Sequence, residues 1–351
     1  MSRDRTAYVC GYAEDDSGGV YAYHVDSESG QLEQRAMTPS RCVSFLALHP
    51  ELDTAYTVNQ IDGGTVRAHR VDDSGELSEL NERSSEGESP CFVSVDDTGQ
   101  YAFISNYGGG TVAMYPINDD GELQPASHVV DHTELFDDAN TDDSNPHSIA
   151  TGPQNEYVYA PDLGLDRVAV YRLDTDNDQL RPTDQRSVPV HDGAGPRHFA
   201  FHQNDRFVYV INEQDPTVSV FEQDPDTGGL DHVQTVETVP SSFEDDSYCA
   251  EVRVHPSDRF LYGSNRGHDS VVVFDIDRET GELSLVDYES TRGHWPRHFA
   301  VDPGGEYLYA ENRRDDSVVP FRIDAESGRL SRIEDTVELP EPLCMRFADA
   351  E

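Results

Sequence analysis

Lysine is absent from the 351-residue sequence, so all 25 basic residues are arginines, against 69 aspartates and glutamates and a formal net charge of −44. An acidic surface without lysine is typical of proteins that function in multimolar salt, where screening weakens the repulsion between like charges. We therefore predict a salt-adapted, halophilic source. Because nucleic acids and anionic membranes attract basic surfaces, the charge also argues against both as binding partners.

Cysteines and long apolar runs are also few. The five cysteines are an odd number and form no Cys-x-x-Cys pair, which favours buried thiols in a reducing compartment over disulfides or a zinc site. The apolar runs are far too short to span a membrane, and residues 1–5 lead directly into a strand pattern without a signal peptide. We therefore expect a cytoplasmic protein, and no spacing of ligands predicts a bound metal or cofactor.

A strand with an aromatic residue at its centre recurs seven times and gives the strongest signal in the sequence. Successive central aromatics lie 48, 47, 56, 50, 53 and 47 residues apart, so seven units account for nearly the whole chain. The seven aromatics are Tyr8, Tyr56, Phe103, Tyr159, Tyr209, Tyr262 and Tyr309.

Each unit repeats the same order of signals: a short apolar strand, the aromatic strand, a strand of alternating pattern, and a weaker fourth strand after a Gly-x-Leu turn. Four antiparallel strands repeated seven times predict an all-β fold, a seven-bladed β-propeller. The first unit lacks its innermost strand, whereas the chain ends with a spare one at residues 344–348. We expect this C-terminal strand to complete blade one, so that no sheet edge stays open.

The same period sets the expected boundaries of a single propeller domain over residues 1–351. The expected blades cover residues 6–43 with 344–350, 44–90, 91–146, 147–196, 197–249, 250–296 and 297–343. The longest interval contains the acidic stretch from Asp131 to Asn145. We predict that this stretch is an aspartate-rich loop over one mouth of the central channel.

Topology narrows the search for a site. The start of the first strand and the end of the second strand of a blade share one face near the central axis, where scaffolded loops commonly carry function. Ionisable residues concentrate at these positions on blades four, five and six. We predict His147, Arg197, Glu213 and Arg266 as the catalytic group. Predicted substrate-binding residues at equivalent positions are Asn106, Asp162, His198, Arg297 and His298.

Several of these residues also have a structural interpretation. Asparagine or aspartate ends the second strand of nearly every unit, as Asn106 and Asp162 do, which is typical of side chains that bond to their own turn. Arg197 and Arg297 lie in duplicated Pro-Arg-His-Phe-Ala segments, so one of them could be a repeat-derived ion pair. Glu213 and Arg266 depart from the residues at equivalent positions of the other units, which favours a functional role.

The chemistry of the predicted group is specific. Guanidinium groups bind carboxylate or phosphate and stabilise a developing oxyanion, while a histidine and a glutamate supply general acid and base. The sequence contains no Gly-x-Ser-x-Gly nucleophile motif and no Walker motif, and Schiff-base chemistry would need a lysine. We therefore predict a small anionic substrate.

Dispersed motifs of the chain resemble those of a known family. The motifs occupy residues 105–111, 145–148, 161–164, 193–198, 212–213, 250–251 and 264–270. They resemble the seven-bladed lactonase family, which includes bacterial-type 6-phosphogluconolactonases and fungal 3-carboxy-cis,cis-muconate lactonizing enzymes. The resemblance extends from about Tyr8 to Arg346 and implies hydrolysis of a sugar lactone, with 6-phosphogluconolactone as the substrate.

The resemblance also implies a site. In the muconate branch the site comprises a histidine, two arginines and a glutamate, which match His147, Arg197, Arg266 and Glu213 by motif. The arginines would hold the anionic end of the substrate or the oxyanion, and Glu213 or His147 would activate water. Many relatives carry a second histidine where this chain has Asn145. Two other functions stay open: muconate lactonization at the same residues, and a non-catalytic interaction platform.

Overall fold

Seven antiparallel sheets arranged around a channel make up the computed structural model, which describes residues 5–61, 63–136 and 144–348. Blade one contains β1 (Arg5–Gly11), β2 (Gly19–Val25), β3 (Leu32–Pro39) and the C-terminal β29 (Pro342–Phe347). Blade two contains β4 (Val43–Leu48), β5 (Thr54–Asn59), β6 (Thr65–Val71) and β7 (Leu77–Ser84). Blade three contains β8 (Pro90–Val95), β9 (Tyr101–Asn106), β10 (Thr111–Pro116) and β11 (His128–Asp131).

The remaining four blades follow the same order. Blade four contains β12 (Ala150–Thr151), β13 (Tyr157–Asp162), β14 (Arg167–Asp174) and β15 (Gln179–Pro189). Blade five contains β16 (Pro196–Phe201), β17 (Phe207–Asn212), β18 (Thr217–Gln223) and β19 (Leu230–Glu237). Blade six contains β20 (Tyr248–Val254), β21 (Phe260–Arg266), β22 (Ser270–Ile276) and β23 (Leu283–Ser290). Blade seven contains β24 (Pro296–Val301), β25 (Tyr307–Asn312) and β26 (Ser317–Ile323), whose outer partner is split into β27 (Leu330–Arg332) and β28 (Val337–Glu338).

Helical structure is confined to short segments of the described chain. Helix α1 (His132–Leu135) follows β11, and a 3-10 turn spans Arg313–Asp315. Among the described residues, no helix has the length and apolar character that a membrane span requires. The predicted acidic loop runs from the end of β11 through α1, but its residues 137–143 lie outside the described residues.

The C-terminal strand closes the ring as predicted. β29 pairs antiparallel with β1, with Val9 opposite Met345 and Cys10 opposite Cys344. The chain therefore supplies the innermost strand of its first blade from its own end, and the edge of β1 is covered. Both the seven-bladed fold and its closure are confirmed.

The innermost strands of several blades have an irregular register at their start, next to the channel mouth. In blade five Pro196 pairs with Asn212 and His198 pairs with Ile211, which leaves Arg197 as an extra residue. The innermost strands of blades two, three and seven shift in the same way. A bulge of this kind redirects a side chain out of the ladder. The extra residues of the four blades are Ser44, Cys91, Arg197 and Arg297.

Neighbouring blades are joined by a bond that explains the repeat. The hydroxyl of the central tyrosine of one blade donates to the carbonyl of the turn glycine of the next, as Tyr262 does to Gly328 at 2.9 Å. Gly328 has a φ of +70°, and a Cβ there would lie 2.6 Å from the ring of Phe260. The same bond forms from Tyr56, Tyr159 and Tyr309 to Gly121, Gly228 and Gly30. The recurring spacing of tyrosine and glycine at these four interfaces is therefore the spacing of two contact partners.

Removal of one such hydroxyl tests the contribution of the bond. Tyr262→Phe should lower the free energy of unfolding by about 1 kcal/mol, because the carbonyl of Gly328 loses its donor. Tyr209→Phe is the matched control, since the buried hydroxyl of Tyr209 has no hydrogen-bonding partner in the described chain. Removal of the Tyr209 hydroxyl should leave the free energy of unfolding unchanged or slightly raised. Denaturant unfolding at fixed salt measures both, and equal losses would contradict the assignment.

Candidate active site

A carboxylate held by two arginines lies where blades five and six meet. Glu213 directly follows β17, Arg197 is the extra residue of β16, and Arg266 ends β21. Oε2 of Glu213 lies 2.9 Å from Nε of Arg197 and 2.7 Å from Nη2 of Arg266. Both arginine side chains are at most 4% exposed, whereas that of Glu213 is 19% exposed. The group therefore reaches solvent through its carboxylate.

Main-chain carbonyls of β20 fix the two guanidinium groups. Nη1 of Arg197 donates to the carbonyl of Ala250 at 2.6 Å. Nη2 of Arg266 donates to the carbonyl of Cys249, also at 2.6 Å. Each arginine is thus held by a neutral acceptor as well as by Glu213, and its position does not depend on the carboxylate alone.

The electrostatic balance keeps Glu213 ionised. Burial alone would raise the pKa of its carboxyl, but the positive charges of Arg266, Arg197 and Arg297 outweigh burial and hold this pKa below its ordinary value. At neutral pH the residue is therefore a carboxylate.

Arg297 adds a third guanidinium group that has no carboxylate of its own. It is the extra residue of β24 in blade seven, and no ion pair or hydrogen bond of its side chain is found among the described residues. Burial, followed by the positive charges of Arg197 and Arg266, lowers the pKa of Arg297 to about 9. Three arginines and one glutamate give the group a net charge of +2 at neutral pH, within a chain whose net charge is −44.

His147 lies beside the arginine group on blade four. Nδ1 of its imidazole is 3.7 Å from Sγ of Cys91, and its ring packs edge-on against Tyr107 and His198 at centroid distances of 5.4 and 5.2 Å. Burial, followed by the charge of Arg197, lowers the pKa of His147 well below its ordinary value, so the ring is neutral at neutral pH. Nε2 has no hydrogen-bonding partner within the described parts of the chain.

The other two predicted histidines belong to a buried chain of ionisable groups. His198 Nδ1 lies 2.9 Å from Oε2 of Glu251, and Nε2 of His298 lies 3.1 Å from the same oxygen. His298 Nδ1 lies 2.8 Å from Oε1 of Glu311. Burial raises the pKa of Glu311 well above its ordinary value, which favours the protonated carboxyl. Glu251 is further paired with Arg253 at 3.1 Å.

The predicted role of His198 and His298 in substrate binding stays a prediction. Both rings are buried and engaged by carboxyl groups of the protein. Nη1 of Arg197 lies 3.3 Å from Nε2 of His198, so the guanidinium group rests against that ring. His198 and Glu251 therefore position Arg197, and His298 lies one contact further away.

Asn106 and Asp162 also have partners within the protein, which agrees with the structural interpretation of asparagine or aspartate at the end of the second strand. Both are fully buried. Nδ2 of Asn106 donates to the carbonyl of Ser85 at 2.7 Å and to Oγ1 of Thr111 at 3.0 Å. Oδ2 of Asp162 lies 2.8 Å from Nδ1 of His132 in α1. These contacts support the structural interpretation of both residues, and their assignment to substrate binding stays a prediction.

Three residues beside the site were not among the predicted site residues. Cys91 and Tyr107 contact His147, and the indole of Trp295 lies 5.5 Å from the guanidinium carbon of Arg266. Cys91 and Trp295 carried a readable signal, because each occupies a position at the start of a first strand. No group of three or more His, Cys, Asp or Glu side chains in the described ranges is arranged to hold a metal ion.

Comparison with known proteins gives consistent matches along the chain. A family model described as "Lactonase, 7-bladed beta-propeller" matches residues 6–347. A 6-phosphogluconolactonase of Bacillus subtilis (strain 168) is 36% identical over 343 residues, which cover 97% of each chain. A 6-phosphogluconolactonase of Serratia proteamaculans (strain 568) is 32% identical over 281 residues, or 79% of this chain and 80% of that protein. The structure of a periplasmic gluconolactonase of Pseudomonas aeruginosa is similar with a TM-score of 0.92 and 29% identity, covering 99% of this chain and 100% of that chain.

Unpaired positive charge at Arg297 should cost stability. Because folding lowers the pKa of Arg297 to about 9, the penalty is present below that pH and fades as the guanidinium group loses its proton above it. Arg297→Gln should raise the free energy of unfolding by about 1 kcal/mol at pH 7, a gain typical at sites that trade stability for function.

The matched control is Arg313→Gln in the same blade, because Arg313 is paired with Glu341 at 2.7 Å. This substitution should leave stability unchanged or lowered. Thermal unfolding between pH 7 and pH 10 measures both variants against the parent. A loss of stability in Arg297→Gln, or a gain that grows above pH 9, would contradict the interpretation.

Proposed function

This chain belongs to the seven-bladed β-propeller lactonase family, and on that basis we propose that it hydrolyses a sugar lactone, with 6-phosphogluconolactone as the substrate. The observation that carries the proposal is the group of three arginines around the single carboxylate of Glu213. Such a group binds an anion and stabilises the negative charge that develops when water attacks an ester carbonyl.

The charge of the group favours a phosphorylated substrate over a neutral one. A phosphate monoester carries between about −1.5 and −2 charges at pH 7, which matches the net charge of +2. Arg297 has no carboxylate partner among the described residues, so a phosphate would give it the partner it lacks. An unphosphorylated gluconolactone, the substrate named for the Pseudomonas relative, would leave this charge without a partner.

We assign water activation to His147 and the arrangement of the arginines to Glu213. Both are unprotonated at neutral pH, but Oε2 of Glu213 is engaged by two guanidinium groups, whereas Nε2 of His147 has no partner among the described residues. His147 would accept a proton as water adds to the lactone carbonyl. The same proton would pass to the ring oxygen as the carbon–oxygen bond breaks, which leaves the free acid.

Arg197 and Arg266 would bind the oxyanion formed in between, and Arg297 the phosphate. Positive charge is thus supplied by side chains, and we propose a metal-independent reaction. The proposed setting is a salt-rich, reducing cytoplasm. The five buried free thiols and the lysine-free, acidic composition support it.

Substitution of the central carboxylate tests the assignment. Glu213→Gln should lower kcat for 6-phosphogluconolactone by about a hundredfold or more, because the two arginines lose the charge that orients them. Binding of the anionic substrate should survive, since the arginines keep their main-chain acceptors. Acid release in concentrated KCl, corrected for spontaneous hydrolysis, gives kcat and KM.

The matched control is Glu222→Gln, an exposed residue of the same blade that is paired with Arg206. Its kcat should equal that of the parent. Unchanged turnover in Glu213→Gln would overturn the assignment of the site. Loss of 3-carboxy-cis,cis-muconate absorbance without lactone hydrolysis would favour the lactonizing reaction, and absence of turnover on both would favour an interaction platform.

The pH profile tests the role of His147. Because burial and Arg197 lower the pKa of His147, kcat/KM should stay level as pH falls from 8 to below 6.5 and decline only when the ring gains a proton. Arg297→Gln removes one of the charges that lower this pKa, so the decline should move to higher pH in that variant. A decline at or above pH 6.5 in the parent, or no movement in the variant, would contradict the role of His147 as base.

A further inference from the structure

The single tryptophan of the chain lies beside the arginine group in an uncommon backbone conformation. Trp295 immediately precedes Pro296, the first residue of β24, and has a φ of +65°. Bulky side chains rarely adopt this left-handed region. The main-chain N–H of Trp295 donates to Oδ1 of Asp269 at 2.8 Å, and its carbonyl accepts from the N–H of Arg313 at 3.1 Å. Hydrogen bonds at both the N–H and the carbonyl of Trp295 therefore stabilise its left-handed backbone conformation.

The duplicated segment of blade five shows what this position requires. Gly195 precedes the same Pro-Arg-His-Phe-Ala sequence there and has a φ of +66°. In blade three Ser89 precedes the first strand with a φ of +53°. A glycine or a small polar residue thus satisfies the backbone, and glycine does so without strain. Trp295 therefore carries an indole in a backbone conformation that glycine adopts more easily, which points to a role for the ring.

The ring of Trp295 connects the catalytic arginines with the rim of the mouth. The guanidinium carbon of Arg266, which pairs with Glu213, lies 5.5 Å from the ring centroid. That of Arg314 lies 3.5 Å from the centroid, directly over the ring. The ring of Tyr248 is tilted against it at 6.0 Å. The indole is only partly buried, so it forms part of the wall of the mouth.

Arg314 brings a further unpaired charge to this wall. The side chain of Arg314 is exposed, and its guanidinium group stacks on the ring of Trp295. No carboxylate among the described residues pairs with this guanidinium group. The stacked ring holds the cation near the mouth, where a bound anion can reach it.

We propose that Trp295 is a substrate-contacting residue that determines specificity. Its indole packs against the C–H face of the sugar lactone, and Arg314, held on the same ring, joins Arg297 in binding the phosphate of the substrate. The proposal rests on the proposed lactonase function and extends it to a phosphorylated, ring-shaped substrate. Aromatic rings commonly bind ligands in this way, because they offer a large rigid apolar surface at low entropic cost.

The uniqueness of Trp295 provides a direct readout of binding. All indole fluorescence of the protein comes from this residue. Titration with 6-phosphogluconate, the stable product of the proposed reaction, should produce a saturable change in emission. Its half-saturation concentration should agree with the inhibition constant of the same compound. Gluconate should bind more weakly, and inorganic phosphate should not reproduce the change in emission, because it lacks a ring or chain to contact the indole.

Three substitutions separate contact from folding. Trp295→Gly restores the residue found at position 195 and should raise KM by about tenfold while kcat stays within about twofold, since one contact to the substrate is lost. Trp295→Phe keeps an aromatic face and should raise KM by less than about threefold. Ser89→Gly relaxes the backbone at the equivalent position of blade three without removing a ring, and its KM should equal that of the parent.

Arg314→Gln tests the charge separately. It should raise KM for 6-phosphogluconolactone but leave the binding of gluconate unchanged. An unchanged KM in Trp295→Gly, together with no change in emission on binding, would overturn the role of Trp295 even if the parent hydrolyses the lactone. A parent without lactonase activity would instead refute the proposed function. A fall in stability of Trp295→Gly with an unchanged KM would assign the ring a structural role.

Discussion

Pairing of the last strand with the first is the constraint on which the rest of the structure depends. β29 provides the innermost strand of blade one, and the innermost strands form the wall of the channel. Arg346 of β29 places Nη1 3.0 Å from Nε2 of His298, which contacts Glu251. Glu251 in turn holds His198, against which the guanidinium group of Arg197 rests. A continuous series of buried polar contacts therefore connects the closing strand with the candidate active site.

The sequence allowed the fold to be predicted because seven units repeat one order of strand signals. At four blade interfaces a tyrosine and a turn glycine also recur as the two halves of one contact. The sequence also allowed His147, Arg197, Glu213 and Arg266 to be placed together, since strand order alone brings their positions to one mouth. Which neighbour engages each side chain was not predictable. The bond of Asp162 to His132 crosses from blade four to α1, and such a contact leaves no periodic trace in the sequence.

The charge of the channel mouth is opposite in sign to the net charge of the molecule. The surface carries most of a large negative charge, whereas the mouth between blades five and seven collects arginines with a single carboxylate among them. Burial and then repulsion by the charges of Arg197 and Arg266 lower the pKa of Arg297. An arrangement of this kind is costly in the empty protein and becomes favourable when an anion arrives, because the free energy of binding then includes the relief of that repulsion.

The bonds between tyrosine hydroxyls and turn glycines do not join every pair of blades. Among the described residues the hydroxyls of Tyr8 in blade one and Tyr209 in blade five make no such bond, and the central aromatic of blade three is a phenylalanine without a hydroxyl. Two of these three interfaces are crossed by the candidate site itself: that of blades five and six by Glu213 with Arg266, and that of blades three and four by Cys91 with His147. The atoms that would meet the substrate thus also fasten adjacent blades. A ligand that draws Arg266 away from Glu213 changes the cohesion of the ring at the joint where it binds, so occupancy and mechanical rigidity are coupled.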